Sequence, residues 1–535
     1  MTSATVHPST AKNHSGGSVP GMFCLVLHSH LPWLAHHGRW PVGEEWLYQS
    51  WAATYQPVFR VLRRLADEGR SRLVSLGVTP VLAAQLDDPY TLAGMYDWLG
   101  NWQLRSHEAA LATARECGSG AVSPASLRRL GGREHRASAA AVEDFEQNWR
   151  HGGAGLIRSL TDAGAIELLG GPLTHPFQPL LDPELRSFAL QQGLRDARQR
   201  FGTQPTGIWA PECAYTQGLE SLYQRSGVSH FLVDGPSLRG DTSLGRPVGT
   251  SGVVAFGRDL HVSYRVWSPK SGYPGHRDYR DFHSYHHPTG LKPARVTSKN
   301  TPAERKAPYD PHRAATALDE HADDFVETVR RRLADESARI GRPALVVAAF
   351  DTELFGHWWH EGPEWLELVL RRLPEAGIQV GTLQDAMDGG YVGAPVQLPD
   401  SSWGSGKDWR VWAGDDVQDL VQLNAEVAEL ALTAVKKRAE HLPRSTRDTV
   451  SDQIIREALL CLASDWAFMV TKDSAVDYAR DRAHKHAHAA REIAAAALSG
   501  DEARARALAA GWQHADGLFP ALDSRVLTAG SGVAR

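Results

Sequence analysis

Short, unbroken apolar runs recur along this chain, each followed by a charged stretch with helical spacing. The first is Met22-Phe-Cys-Leu-Val-Leu27, and similar runs follow at residues 72–76, 165–169, 207–210, 229–233, 253–256, 344–350 and 377–380. Successive strand side chains point to opposite faces, so a run apolar at every position must be covered on both sides. The segments between, such as 58–69 and 183–201, space Leu, Val and Ala at helical intervals among Arg, Asp and Glu. Strand and helix in alternation predict a parallel sheet, either a (β/α) barrel or a doubly wound sheet. Right-handed crossovers then place every strand C-terminus on one face, where a barrel gathers its catalytic groups.

Two insertions interrupt the rhythm: an Ala/Arg-rich helical stretch around residues 100–150 and a Pro/His/Tyr/Gly-rich loop over 268–310. After about Tyr391 a Pro/Ser/Gly segment leads into long amphipathic stretches at roughly 415–440, 446–471 and 473–512. At 535 residues the chain exceeds one ordinary core. The expected division is a disordered polar tail over 1–20, a catalytic unit over 21–395 carrying both insertions, and a helical domain over 396–535.

Charge narrows the partners. Lys and Arg number 57 against 62 Asp and Glu, a net charge of −5, which gives no general attraction to nucleic acid or an anionic membrane. No segment approaches the ~18 apolar residues of a membrane span, and the first residues lack a signal-peptide pattern, so a soluble, cytoplasmic protein is expected, with a monomer as the working assumption. Cys24, Cys117, Cys213 and Cys461 form no CxxC pair and read as reduced packing residues. Seventeen tryptophans, many beside Gly, Pro, His or Asp, favour a neutral ligand with apolar ring faces: a sugar.

The strand ends carry the chemistry. The first run leads into His28-Ser-His30-Leu-Pro-Trp33, whose two histidines project to one side of an extended segment. Such a pair can contribute to a zinc site, but zinc needs three or four ligands, and binding of sugar hydroxyls or orientation of a carboxylate is the stronger reading. Another strand ends Gly170-Gly-Pro-Leu-Thr-His175. Gly207-Ile-Trp-Ala-Pro-Glu212-Cys-Ala-Tyr215 sets a carboxylate just past a buried strand, and Phe350-Asp351-Thr-Glu-Leu-Phe-Gly-His-Trp-Trp sets a second at the end of the most apolar one. An acid so placed costs free energy to bury unless a partner or a function holds it. Two carboxylates from separate strand ends suit glycoside chemistry, one attacking or stabilising the anomeric carbon and the other moving the proton. Arg265-Val-Trp267 reads as an aromatic, basic strand end, and Ser402-Trp403-Gly-Ser-Gly-Lys-Asp-Trp-Arg-Val-Trp412 as a Gly-spaced set of exposed indoles for a sugar acceptor. Ala463-Ser-Asp465-Trp466 offers a polar contact from the helical region or a helix cap, and His484, His486 and His488 read as a solvated helix face.

The ordered set HSHLPW, GGPLTHPF, IWAPECAY, AFDTELFGHWWHEGP and SSWGSGKDWRVW resembles the signature regions of glycoside hydrolase family 57, in particular its 1,4-α-glucan branching members. That resemblance, over about residues 22–480, implies an incomplete (β/α)7 TIM-like barrel with an α-helical C-terminal domain, and retaining chemistry with no metal or cofactor. It also implies transfer to a 6-hydroxyl of an α-1,4-glucan of glycogen type. Position by position it puts the nucleophile on Glu212, the general acid/base on Asp351, donor-subsite contacts on His28, His175 and Trp267, and acceptor-side tryptophans on Trp403 and Trp412. His30, Trp40, Arg265 and Asp465 follow as further substrate contacts. Branching members carry a tyrosine on a mobile loop associated with excluding water; the corresponding segment here, 235–250, has none. The alternatives are an α-amylase or 4-α-glucanotransferase on the same site, a zinc enzyme of mannosidase or deacetylase type using His28, His30 and an Asp, and a non-catalytic glucan-binding protein.

Overall fold

A computed structural model describes residues 20–111, 123–268, 271–443 and 445–528. Except for Pro20, the tail expected over 1–20 lies outside them, as does Cys117. The strands are β1 (Gly21–Ser29), β2 (Val74–Val78), β3 (Ile166–Gly170), β4 (Gly207–Ile208), β5 (His230–Asp234), β6 (Arg246–Pro247), β7 (Val254–Arg258), β8 (Ala344–Asp351) and β9 (Gln379–Gly381). They form one sheet in the order β6-β7-β5-β4-β3-β2-β1-β8, with β9 paired to β1. Only the short β6–β7 pair is antiparallel. No ladder joins β7 to β8. The gap is spanned by single hydrogen bonds, from the Asp259 N–H to the Val347 carbonyl and from the Leu345 N–H to the Ser243 carbonyl, each 2.8 Å. The sheet is therefore the incomplete (β/α)7 barrel expected.

Strand parity explains why the runs are apolar throughout. In β1, Phe23, Leu25 and Leu27 pack outward against the helical layer. Met22, Cys24 and Val26 pack inward with Leu169, Leu232, Phe256, Leu345, Val347 and Ala349. Burying each large aliphatic side chain on either face contributes roughly 1.5–3 kcal/mol, so neither face tolerates a polar residue without a partner. The inward parity of β1 continues to His28 and that of β8 to Asp351, and these two residues are register partners across the ladder. The polar ends of the two strands thus fall at the same height, one strand apart.

The first insertion forms helices Pro89–Ala110 and Pro124–Asp144. The second is held by isolated antiparallel bridges, among them Arg280 with Arg295 and His286 with Leu291, before helix Pro311–Ile340 begins. Arg265 and Trp267 depart from the sequence reading: Arg265 lies in helix Leu260–Val266, after β7, and Trp267 caps its C-terminus. Cys24, Cys213 and Cys461 are buried and free.

Beyond residue 415 the chain is helical, but two of the three expected stretches are broken. The second splits into Thr449–Cys461 and Ser464–Thr471, and the third into Val476–Leu498 and Glu502–Ala515. Gly500, at φ 81°, accounts locally for the later break. The earlier one has no local breaker. Ala463 is extended because it bridges to Pro176 on the barrel side, and the Ser464 N–H donates to the His175 carbonyl at 3.1 Å. His486 also departs from the sequence reading. It is fully buried, bonded to Glu457 at 2.8 Å and to Arg482 at 2.9 Å, while His484 and His488 on the other side of that helix are exposed. Nearby, Asp516 accepts hydrogen bonds from Trp33 Nε1 at 2.8 Å and His37 Nε2 at 2.6 Å, which clamps the loop after β1 to the C-terminal helices. No helix among the described residues is long and apolar enough to cross a membrane.

Candidate active site

Glu212 follows β4 by four residues, in a tight turn that Pro211 begins. Its φ of 60° and that of Cys213, 49°, lie in the left-handed region, and His175 sits at 56°. Non-glycine residues adopt this conformation at a cost of roughly 1–2 kcal/mol each, and such costs collect where a side chain must be aimed. The turn points the Glu212 carboxylate at two donors. Trp403 Nε1 donates to Oε2 at 2.8 Å, and Ser464 Oγ donates to Oε1 at 2.8 Å. The Trp403 N–H also donates to the Glu212 carbonyl at 2.9 Å. Burial raises the Glu212 carboxyl to about 7, while the Trp403 and Ser464 hydrogen bonds pull against that rise.

Three imidazoles lie alongside. His28 Nε2 is 3.1 Å from His175 Nε2, and His175 Nδ1 is 3.0 Å from Ser464 Oγ. The His28 ring stacks on Trp209 at 4.3 Å, and the His30 and His175 rings stack at 3.8 Å. His30 Nε2 reaches both Asp465 oxygens at 3.0 Å, and its Nδ1 reaches Thr79 Oγ1 at 3.0 Å. Burial alone would lower His30, but the charge and hydrogen bond of Asp465, with Glu212 and Glu353 beyond, hold it above the ordinary imidazole value. Burial, followed by repulsion from His30, holds His28 and His175 well below that value. Of the trio, His30, paired to Asp465, is therefore the ring that holds a second proton most readily, while burial favours the neutral form of the other two.

Asp351 opens onto the cleft, yet the surrounding walls desolvate it enough to raise its carboxyl to about 6, opposed by the charges of Arg258 and His30. Arg258 is itself fixed by Asp234 at 2.9 Å and lies over the Trp403 ring at 5.2 Å. Two residues beyond Asp351 stands a third carboxyl, Glu353. It accepts from Tyr55 OH at 2.5 Å and from the His30 N–H at 3.1 Å. Burial and the charge of Asp351 raise it to about 8. Gly356 lets this motif close: at φ 117°, a Cβ there would lie 1.7 Å from the Ala53 carbonyl oxygen.

Of the residues singled out in the sequence, the fold gathers Glu212, His28, His175 and Trp403 into one hydrogen-bonded set, against which the His30–Asp465 pair is packed by stacking of His30 on His175, with Asp351 beside His28 on the adjacent strand. Trp412 is not the exposed indole expected. It is only 2 % exposed, stacked on Phe177 at 4.6 Å, and lines a cavity of about 560 Å³ that runs along helix Gln418–His441 and meets the cluster at Ser464. Trp40 is 76 % and Trp267 49 % exposed, both free to meet a ligand at the surface. Arg265 is engaged by Asp324 at 2.6 Å. Sequence reasoning passed over Ser464, Arg258, Tyr55 and Glu353. Ser464 and Glu353 stand inside motifs that had been noticed, but nothing local marks which neighbour of a motif residue will touch a carboxylate. His30, His175 and Asp465 lie close enough to hold a metal ion. Their ligand atoms are already committed, however: His175 bonds through both ring nitrogens, and His30 Nε2 is taken by Asp465, so an ion there would have to displace these bonds.

Two family models and several known proteins match this chain. Residues 24–399 match the family model described as glycosyl hydrolase family 57, and residues 424–527 match the one described as 1,4-alpha-glucan branching enzyme, C-terminal. A probable 1,4-alpha-glucan branching enzyme of Mycobacterium tuberculosis (strain H37Rv) is 64 % identical over 526 residues, covering 96 % of this chain and 99 % of that protein. The crystal structure of a family 57 branching enzyme from Thermococcus kodakaraensis in complex with glucose superposes with a TM-score of 0.87 at 28 % identity, covering 95 % of this chain and 96 % of that one. An alpha-amylase from Thermotoga maritima superposes at 0.82 with 26 % identity, covering 95 % and 99 %.

Proposed function

Because the chain belongs to glycosyl hydrolase family 57, we propose that its carboxylate cluster cuts an α-1,4-glucan and rejoins the released segment to a 6-hydroxyl of another glucan, making an α-1,6 branch. In this reading Glu212 attacks the anomeric carbon, and Asp351 protonates the departing 4-oxygen, then deprotonates the incoming 6-hydroxyl. Retention needs the two carboxyls roughly 5–5.5 Å apart. One observation carries the assignment of Glu212: it is the acid that two fixed N–H and O–H donors hold from opposite oxygens. A donated hydrogen bond favours the ionised form, which a nucleophile needs. Among the described residues Asp351 has no such donors, and it faces the cleft, where an arriving glucan displaces water and strengthens its hold on a proton.

His28, His175 and Trp267 serve the donor side, His30 and Asp465 shape it, and Trp403 and Trp412 border the acceptor side, with Trp40 and Arg265 as outlying contacts. Residues 21–395 act as the catalytic unit, and 396–535 as a helical domain that completes it. Glycogen-type α-glucan is the polymer, the cytoplasm the compartment, and a single chain the working unit.

Treatment of amylose followed by a debranching enzyme is expected to release new short chains. Counting reducing ends in the same digest separates transfer from hydrolysis, a balance made open by the tyrosine-free 235–250 segment. Reducing ends that rise in step with cleavage, with no chains released on debranching, would establish an amylase instead.

The carboxyl values also predict the pH profile. Below about 6 both acids are protonated and the nucleophile is lost; above about 7 both are ionised and the proton donor is lost. Between them the pair holds one proton, which rests mainly on Glu212 and gives the productive form when it sits on Asp351, so kcat/KM is expected to be bell-shaped with its maximum in that interval. A profile flat from pH 5 to 8 would contradict this pairing.

A further inference from the structure

The hydrogen bonds behind Glu212 form a chain with only one workable direction. An ionised Glu212 can only accept, so the Ser464 hydroxyl hydrogen must point at Oε1, 2.8 Å away. The oxygen of Ser464 is then free to accept, and the donor 3.0 Å away is Nδ1–H of His175. His175 is neutral and carries one ring proton, so its Nε2 is bare. That bare nitrogen must accept from Nε2–H of His28 at 3.1 Å, which leaves His28 Nδ1 bare as well. Nδ1 of His28 is buried, with no hydrogen-bond partner among the described residues.

Reversal is unfavourable for that reason. If Glu212 carried the proton and donated to Ser464, every bond would flip and His28 Nδ1–H would become a buried donor with nothing to meet. An orphaned buried N–H is among the rarest defects in folded proteins and costs more than an unfilled acceptor. The closed end at His28 thus favours the ionised state of an acid four residues from the end of a short strand.

We propose that Ser464, contributed by the C-terminal helices, is a positioning residue for the attacking carboxylate: with His175 and His28 it forms a one-way chain of hydrogen bonds that aims Oε1 of Glu212 and favours its charged form. The inference rests on Glu212 as the nucleophile. The break in the helix at 462–463, which no local residue explains, is what brings Ser464 to this position. The groups facing Glu212 are Trp403 Nε1 on Oε2, Ser464 on Oε1, His175 Nδ1 at 4.0 Å, and the opposed charges of His30 and Asp465. Of these, Ser464 is the donor that can be removed without deleting a ring or a charge.

The test uses the full chain and two readouts. With an α-maltosyl fluoride, whose leaving group needs no proton, consumption reports attack by Glu212 whatever the acceptor. Ser464→Ala is expected to lower kcat on the fluoride roughly ten- to a hundredfold with little change in KM, and to move the acid limb of the fluoride's own pH profile, which depends on Glu212 alone, up by about one unit. Ser464→Thr retains the hydroxyl and is expected to restore the wild-type limb, which also separates this role from a folding defect. Independently of any activity, ¹⁵N spectra of histidine-labelled protein, assigned with His175→Gln, should show His175 protonated on Nδ1 and His28 on Nε2. His175 protonated on Nε2, or an acid limb that stays in place in a folded Ser464→Ala protein, would overturn the proposal. Consumption of the fluoride by Glu212→Gln at close to the wild-type rate would instead remove the nucleophile assignment beneath it.

Discussion

Glu212→Gln is expected to abolish cleavage and transfer together, by on the order of 10⁴-fold or more in kcat, because the carboxamide cannot form the covalent glycosyl intermediate. The substitution preserves shape, and the turn at Pro211 and the contacts of Trp403 remain, so folding and glucan binding should be nearly unchanged. Added azide sharpens the result. In a smaller variant, Glu212→Gly, it can occupy the emptied position and attack the anomeric carbon directly, giving a glycosyl azide of inverted configuration. A Glu212→Gln enzyme that still builds branches at a tenth of the wild-type rate would assign the attacking group elsewhere in the cluster.

Asp351→Ala separates the second role. On amylose, whose departing 4-oxygen must be protonated, the loss is expected to be roughly 10²–10⁴-fold. On an α-maltosyl fluoride the first step needs no acid, so the glycosyl-enzyme should still form and then wait for an acceptor that no base activates. Azide needs no deprotonation, so it should release that intermediate with the original configuration retained. Equal losses on both substrates, with no azide product, would mean that Asp351 holds structure instead of moving a proton. Its neighbour Glu353 then becomes the candidate, since Tyr55 and the His30 N–H place it on the same rim with a carboxyl raised to about 8.

The two acids were legible in the sequence for different reasons. Asp351 ends the most apolar run, and Ala344–Asp351 reads as a strand covered on both faces, so a charge at its end had to be held there by a partner or a function. Glu212 was marked by its motif more than by its strand, which is only Gly207–Ile208 in the fold. The aromatic segment at 402–412 was legible as part of the site but not in its mode of action. Trp403 turns its N–H to the Glu212 carboxylate, and Trp412 packs on Phe177, because Glu212 and Phe177 come from other parts of the chain. His486 illustrates the same limit. Polar spacing on a helix looks like a solvated face until Glu457 and Arg482 enclose one member of it.

Beyond the barrel, which the family resemblance of the motifs implied, the sequence by itself determined the alternation of covered strands and amphipathic helices, hence a parallel sheet, and the acids at or just past the ends of two of its strands. These follow from local periodicity and from the cost of burying an unpaired charge, both of which act within a few residues. Only the tertiary structure decided that helix 446–471 would break at Ala463, that Ser464 would meet Glu212 across 252 residues of chain, and that of three stacked histidines His30 would be the one to hold a second proton most readily. Those outcomes depend on which donor lies 3 Å from which acceptor, and that distance is set by packing between segments that share no local pattern.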